Sequence, residues 1–119
     1  MPPRIAVVED EVAVLEMLRE MLEADGFLVV ALDHPDRIQT IEPDVPPDLF
    51  LIDLMLPGRT GIELAEHLRS AGYTDTPMIA MSASRAMTRF ASESGLFQET
   101  IYKPFDLSAL LQCVERHVP

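Results

Sequence analysis

Five polar residues in this 119-residue sequence have the types and spacing to do chemistry together: Glu9, Asp10, Asp53, Ser82 and Lys103. Three carboxylates brought close to one another cannot all stay ionised cheaply unless a cation or protons compensate their charge. Oxygen ligands with no nearby cysteine or histidine favour a hard divalent ion, Mg²⁺ above all. A metal, an ammonium and a hydroxyl around one carboxylate are what phosphoryl transfer needs, with the carboxylate as nucleophile.

Each of these polar residues follows a short apolar run that is typical of a buried parallel strand, and each run leads into a helical pattern. The predicted strands are Ile5–Val8, Leu28–Leu32, Leu49–Ile52, Met78–Met81 and a short one near Gln98–Tyr102. This alternation predicts an α/β fold, a doubly wound five-stranded parallel sheet of the (βα)₅ flavodoxin-like type with strand order 2-1-3-4-5. Ligands bind beyond the carboxyl ends of such strands, where strands one and three are neighbours.

The helical patterns differ in strength. The expected helices carry Val14 to Leu22, a short segment around Asp36–Ile41, Ile62 to Leu68, Ala83 to Ala91, and Leu107 to Val118 with Asp106 as N-cap. Four prolines between residues 33 and 48 leave room for only a short or irregular second helix. A turn is expected at Pro57–Gly61.

Length and composition favour one domain spanning residues 1–119. A net charge of −11 disfavours direct binding to nucleic acids or anionic membranes.

The single cysteine, Cys113, excludes an intrachain disulfide and is expected to be a buried structural thiol. No signal peptide or transmembrane run is apparent, so a cytoplasmic location is expected. The three histidines, His34, His67 and His117, are expected at the surface.

Each candidate residue also has an ordinary structural interpretation. Asp10 or Asp53 could cap the following helix or turn, Ser82 could be an N-cap, and Lys103 could be a solvated surface lysine. The convergence of all of them on one sheet edge favours the functional interpretation. In that interpretation the Ser82 hydroxyl and the Ala83 amide, opening a helix, are donors for phosphoryl oxygens.

The whole sequence resembles the receiver domains of bacterial two-component response regulators. The resemblance is carried by four segments in order: Val7–Glu11 (VVEDE), Leu51–Gly61 (LIDLMLPGRTG), Met81–Ala83 (MSA) and Tyr102–Phe105 (YKPF). Any one segment alone is a weak signal, whereas four with suitable spacing across the chain are a strong one.

The resemblance implies that Asp53 accepts a phosphoryl group from a phosphohistidine of a sensor kinase or histidine phosphotransfer protein. Glu9 and Asp10 match the acidic pair that holds Mg²⁺, and the Met55 carbonyl matches a further metal ligand. Ser82 matches the hydroxyl that turns toward the phosphoryl group, and Lys103 the lysine that contacts it. The Lys103–Pro104 bond is often cis in this family.

The resemblance further implies a phosphorelay switch rather than an enzyme, with only self-catalysed phosphoryl transfer and slow autodephosphorylation. A downstream effector or output domain would read the face formed by the helix after Ser82, the fifth strand and the last helix. Homodimerisation on activation stays open.

Two features depart from the family's pattern: the proline-rich segment Asp33–Asp48, where the family normally has a fuller helix, and Thr100. Thr100 stands three residues before the lysine, where the family usually carries an aromatic switch residue. Tyr102 is aromatic, but it is adjacent to Lys103 and is expected to face differently in the strand. Activation is therefore expected to pass through Ser82 and the following helix.

Three other classes of protein share parts of this pattern. A haloacid dehalogenase-type phosphatase needs a second aspartate where Met55 stands, and a flavodoxin needs a neutral phosphate loop where Glu9, Asp10 and Glu11 stand. The alternative left open is a pseudo-receiver, an interaction module that binds partners without phosphorylation, and Thr100 is its best support.

Overall fold

The computed structural model describes residues 2–119 and contains a five-stranded parallel sheet in the order β2-β1-β3-β4-β5. The strands are β1 (Arg4–Val8), β2 (Leu28–Leu32), β3 (Leu49–Asp53), β4 (Met78–Ser82) and β5 (Glu99–Tyr102). The helices are α1 (Val12–Ala24), α2 (Gly61–Ser70), α3 (Arg85–Ser94) and α4 (Leu107–His117). The predicted fold class and strand order are confirmed.

The second connection is a short 3₁₀-helix at Pro35–Thr40 rather than an α-helix. Its N-cap is His34, whose side chain accepts a hydrogen bond from the Asp36 amide. This confirms the expectation of a short or irregular helix in the proline-rich segment. The described part of the chain has no helix with the length and apolarity that spanning a bilayer requires.

Alternate residues of the strands face opposite sides of the sheet, and each side has its own apolar core. On one side, Val7, Leu51 and Met81 pack with residues of α1 and α4. On the other side, residues such as Val8 and Ile52 pack with α2, while α3 adds Ala91 to an adjoining apolar cluster. Because both faces are covered, strands β1, β3 and β4 are almost wholly buried, which explains their nearly continuous apolar sequence.

Local sequence signals begin and end the helices. Helix α2 begins with a capping box, in which Thr60 and Glu63 exchange hydrogen bonds between side chain and backbone. Helix α4 has the predicted Asp106 N-cap, bonded to the Ser108 amide. Helix α3 ends at Gly95, whose φ of 76° suits glycine.

One partly buried arginine, Arg69, connects the loops at the edge of the sheet opposite the acids. The Arg69 guanidinium donates to the carbonyls of Tyr73, Thr76 and Leu96, and to Thr74 at a longer distance. Burial lowers the pKa of Arg69. The planar fork of donors lets one side chain fix both the loop before β4 and the loop before β5.

Candidate functional site

The strand register brings the acidic residues together at the carboxyl edge of the sheet. Val8, the last residue of β1, pairs with Ile52 of β3, so the residues that follow each of them lie side by side. One carboxylate oxygen from each of Glu9, Asp10 and Asp53 lies within 4.8 Å of the others. Glu9 and Asp53 are buried, whereas Asp10 is exposed. The predicted convergence of the three acids is confirmed geometrically.

Lys103 reaches into this acidic cluster from the end of β5. Its Nζ atom lies 2.9 Å from Asp53 Oδ2 and 3.3 Å from Glu9 Oε1. Burial alone lowers the pKa of Lys103, but the hydrogen bonds and charges of Asp53 and Glu9 outweigh burial and raise its pKa above the usual value. The ammonium is therefore a fixed positive charge beside Asp53. The Lys103–Pro104 peptide bond is cis.

The surroundings of the Glu9 carboxyl group disfavour its negatively charged form. Burial, followed by the hydrogen bond and negative charge of Asp53, raises the pKa of Glu9 to about 8, and Lys103 only partly opposes this shift. The buried Glu9 Oε2 atom has no hydrogen-bond partner within residues 2–119. The Glu9 carboxyl group therefore keeps its proton to a higher pH than an ordinary glutamate does when no metal cation lies beside it.

This donor set fits Mg²⁺. Glu9 offers a buried carboxyl oxygen without a hydrogen-bond partner, and two further carboxylates lie within 4.8 Å of it. All three residues offer oxygen ligands and none offers nitrogen or sulfur. Such a set suits a hard cation that keeps several of its waters. The exposure of Asp10 leaves one side of the cluster open to solvent, from which a hydrated ion can arrive.

Asp53 also takes part in the turn that follows it. Its Oδ1 atom accepts a hydrogen bond of 2.9 Å from the Met55 amide, while Oδ2 faces Lys103. The turn-capping interpretation and the cluster interpretation therefore both hold, with one carboxylate oxygen for each. The Met55 backbone runs beside the carboxylate, and the Met55 side chain is 57% exposed.

The hydroxyl side of the site differs in detail from the prediction. The buried Ser82 Oγ accepts a hydrogen bond of 3.0 Å from the Ser84 amide, and Ser84 rather than Ser82 is the N-cap of α3. Because α3 begins at Arg85, the Ala83 amide lies before the helix and not in its first turn, so the argument from the helix dipole was wrong for Ala83. Ala83 is exposed and lines a cavity together with Lys103.

Strand β5 contradicts the expectation for Tyr102. Thr100 Oγ1 lies 2.9 Å from Ser92 Oγ, and the Tyr102 ring lies 4.8 Å from the guanidinium of Arg85. Both partners belong to α3, so Thr100 and Tyr102 point to the same side. The reason is the two-residue period of a strand, which places residues i and i+2 on one face.

The close approach of Gly61 to the site could not be predicted from the sequence pattern. A Cβ atom there would lie 2.5 Å from the Asp53 carbonyl oxygen and 2.8 Å from Leu54 Cα. The Gly61 amide also donates to the Leu54 carbonyl at 2.9 Å. Helix α2 therefore begins in contact with the backbone that carries Asp53, and the only sequence signal was a glycine directly after the Thr60 cap.

The fold and the site define a doubly wound α/β protein with an acidic and lysine-bearing sheet edge. Residues 5–115 match the family model of the response regulator receiver domain. The chain is 37% identical over 117 residues to the phosphate regulon transcriptional regulatory protein PhoB of Rhizobium meliloti. The aligned region covers 97% of this chain and 52% of PhoB. The chain belongs to the response regulator receiver domain family, whose members are phosphorylation-controlled switches of two-component systems.

Solved structures agree with this assignment. The non-phosphorylated receiver domain of HemR from Leptospira biflexa superposes with a TM-score of 0.83 at 32% identity, covering 96% of this chain and 92% of that one. The response regulator TrrA from Thermotoga maritima, solved in complex with Mg²⁺-BeF, gives a TM-score of 0.85 at 26% identity, covering 98% and 99%. Mg²⁺ binding thus occurs within the family. The chain spans about half the length of PhoB, or less for some of the other curated relatives that it matches.

Proposed function

We propose that residues 1–119 act as one receiver domain in which Asp53 accepts a phosphoryl group from a phosphohistidine. The observation that carries this proposal is the contact of 2.9 Å between Lys103 Nζ and Asp53 Oδ2 within a cluster of three carboxylates. Such a contact orients the nucleophile and supplies a positive charge where negative charge develops during transfer.

In the proposed reaction, an Asp53 carboxylate oxygen forms a bond to phosphorus as the bond between phosphorus and the donor imidazole nitrogen breaks. The imidazole leaves with the electron pair and is protonated from solvent. Lys103, the Ser82 hydroxyl and the Ala83 amide donate to the oxygens of the phosphoryl group. Mg²⁺, held by Glu9, Asp10, Asp53 and the Met55 carbonyl, would neutralise the charge of the incoming dianion.

The proposed output is a change in the face formed by α3, β5 and α4. Ser82 pairs with Tyr102 in the strand register, and Tyr102 contacts Arg85 at the start of α3. If Ser82 turns its hydroxyl to the phosphoryl group, the bond from the Ser84 amide is lost and the N-terminal end of α3 is released from it. The acyl phosphate would thereby shift an existing equilibrium of this face.

The proposed partners follow from the family. A sensor histidine kinase or a histidine phosphotransfer protein would supply the phosphoryl group in the cytoplasm. A downstream effector or an output domain would read the altered face, as the longer, transcription-regulating relatives suggest. Homodimerisation on activation is a further element of the proposal.

The test is labelling with a small phosphodonor such as acetyl phosphate in the presence of Mg²⁺. We expect the wild-type protein to gain one phosphoryl group by intact mass, and Asp53→Ala to gain none. Asp33→Ala, which removes an exposed carboxylate outside the cluster, serves as the matched control and should be labelled normally. Equal labelling of wild type and Asp53→Ala would reject Asp53 as the acceptor. Mg²⁺ binding without any labelling would favour the pseudo-receiver.

A further inference from the structure

A second group of potential metal ligands lies at the other end of β5, away from Lys103. Glu99 opens the strand, and Cys113 and His117 face it from consecutive turns of α4. The Cys113 thiol and the His117 Nε2 atom both contact Glu99 Oε2, the latter at 3.0 Å. One potential ligand atom from each residue lies within 4.8 Å of the others. Three side chains from two elements thus converge on one point.

We propose that Glu99, Cys113 and His117 form a binding site for a borderline-soft divalent metal ion of the Zn²⁺ type. The donor set is one sulfur, one imidazole nitrogen and one carboxylate oxygen, which are the ligands that Zn²⁺ takes in proteins. It differs in kind from the oxygen-only cluster of Glu9, Asp10 and Asp53, so the two sites select different metals. The inference does not depend on the phosphorylation of Asp53.

The geometry requires only a small rearrangement. Zn²⁺ bonds of about 2.0 to 2.3 Å in a tetrahedral site place ligand atoms roughly 3.3 to 3.8 Å apart. The present contacts are hydrogen bonds and are somewhat shorter, so Glu99 would retreat by about 1 Å. Residues four apart on a helix lie on one face, which keeps Cys113 and His117 pointing to the same ion. Three protein ligands leave the fourth position for water.

The neighbouring groups permit such a site. Arg116 Nη2 contacts both Glu99 oxygens, at 2.9 and 3.0 Å, and would keep Oε1 while Oε2 turns to the metal. The side chains of Glu99 and His117 are 32% and 26% exposed, which gives an ion access from solvent to the buried thiol. Burial, followed by Glu99, raises the pKa of Cys113 to about 12, so metal binding must release the thiol proton to solvent.

The alternative is that the cluster is only a hydrogen-bonded link between β5 and α4. In that case Glu99 is simply a well-satisfied acceptor, whose pKa is lowered mainly by the Cys113 contact and then by Arg116 and His117, with burial opposing them. The two interpretations differ in one measurable property, which is whether the Cys113 sulfur bonds to an added metal ion.

The experiment uses Co²⁺ as a spectroscopic probe on the full chain, reduced with a non-thiol reductant and kept in excess Mg²⁺ to occupy the acidic cluster. We expect a thiolate-to-cobalt charge-transfer band that saturates at one equivalent and is abolished by adding Zn²⁺. Cys113→Ser should lose the band. His117→Gln should weaken Co²⁺ binding by more than about tenfold, since even residues that only position a ligand are worth that much.

His67→Gln is the matched control, because His67 is an exposed histidine on α2 outside the cluster, and it should bind Co²⁺ like the wild type. Circular dichroism and urea unfolding of the Cys113 and His117 variants show that they are folded, independently of cobalt binding and of Asp53. The proposal is overturned if the wild type shows no charge-transfer band at saturating Co²⁺, or if His117→Gln binds as tightly as the wild type.

Discussion

Lys103 and Asp53 are fifty residues apart in sequence, and their side chains meet at 2.9 Å. Lys103 is the only lysine of the chain, and it also reaches Glu9 at 3.3 Å. The contact arises because β3 and β5 lie on either side of β4 in a parallel sheet. The residues that follow these strands therefore lie at the same carboxyl edge of the sheet. This pair is the centre of the proposed site, and the expected effects of substitutions follow from it.

Lys103→Met should slow labelling of Asp53 by a small phosphodonor by about 100-fold, because it removes a charged donor from the transferring group. It should also tighten Mg²⁺ binding, since a competing positive charge leaves the carboxylates. Labelling rates by intact mass and a Mg²⁺ titration measure both effects. Arg37→Met removes an exposed charge that contacts only Asp33 in the described ion pairs, and it should change neither.

The stability of the metal-free protein should fall as pH rises from about 4.5 to about 8. Glu9 has a folded-state pKa of about 8 against an ordinary 4.5, so the folded protein binds more protons than the unfolded chain across this interval. Mg²⁺ should stabilise the protein increasingly over the same interval. Urea unfolding at several pH values, with and without Mg²⁺, measures this. If Glu9→Gln keeps the full pH dependence, Glu9 is not its source.

Gly61→Ala should destabilise the protein by about 3 kcal/mol and impair labelling of Asp53, because the added methyl group meets the backbone that carries the aspartate. Gly95→Ala is the control. It meets nothing within 4 Å but has a φ of 76°, so it should cost about 1 kcal/mol and leave labelling intact. Denaturant unfolding measures the loss of stability in each variant, and labelling rates measure the effect on Asp53. A Gly61→Ala protein as stable as the wild type would contradict the close contact between Gly61 and the Asp53 backbone.

Met55→Asn should shorten the lifetime of the phosphorylated protein. The exposed, apolar Met55 side chain beside Asp53 offers an attacking water no polar contact, and an amide would supply one. The decay of phosphoprotein after removal of the donor gives the rate. Met55→Leu, which stays apolar, should decay like the wild type. An unchanged rate in Met55→Asn would mean that this position does not control access of water.

Tyr102 should report on activation. The chain has no tryptophan and two tyrosines, so Tyr73→Phe leaves Tyr102 as the sole strong fluorophore. Adding Mg²⁺ and beryllium fluoride should alter its emission if α3, which carries Arg85, moves relative to the Tyr102 ring. The control is the same addition to the Asp53→Ala version of this variant, which should show no change. If the emission stays constant in a variant whose Asp53 is still labelled by a small phosphodonor, Tyr102 is not part of the switch.

Much of the site was predictable because of one regularity of parallel sheets. The residue after each apolar run is held at the carboxyl edge whatever the details of packing, so Asp53, Ser82 and Lys103 could be placed together from their positions alone. The proline content of residues 33–48 likewise excluded a full helix, because proline lacks the amide that a helix interior requires.

Other features depend on how one element is rotated or shifted against another, and local patterns carry no information about that. Glu9 and Asp10 are adjacent and chemically alike, yet packing buries the first and exposes the second. The start of α3 at Arg85 depends on which serine can reach a free amide of the first turn.

The sequence by itself determined the alternation of strands and helices, and hence the edge at which acids and lysine meet, since hydrophobic periodicity is a property of each segment. Only the tertiary structure decided that Glu99 faces Cys113 and His117, because that contact requires the start of β5 to lie level with the end of α4. Such an alignment is set by the packing of the core between them, to which residues from the whole chain contribute.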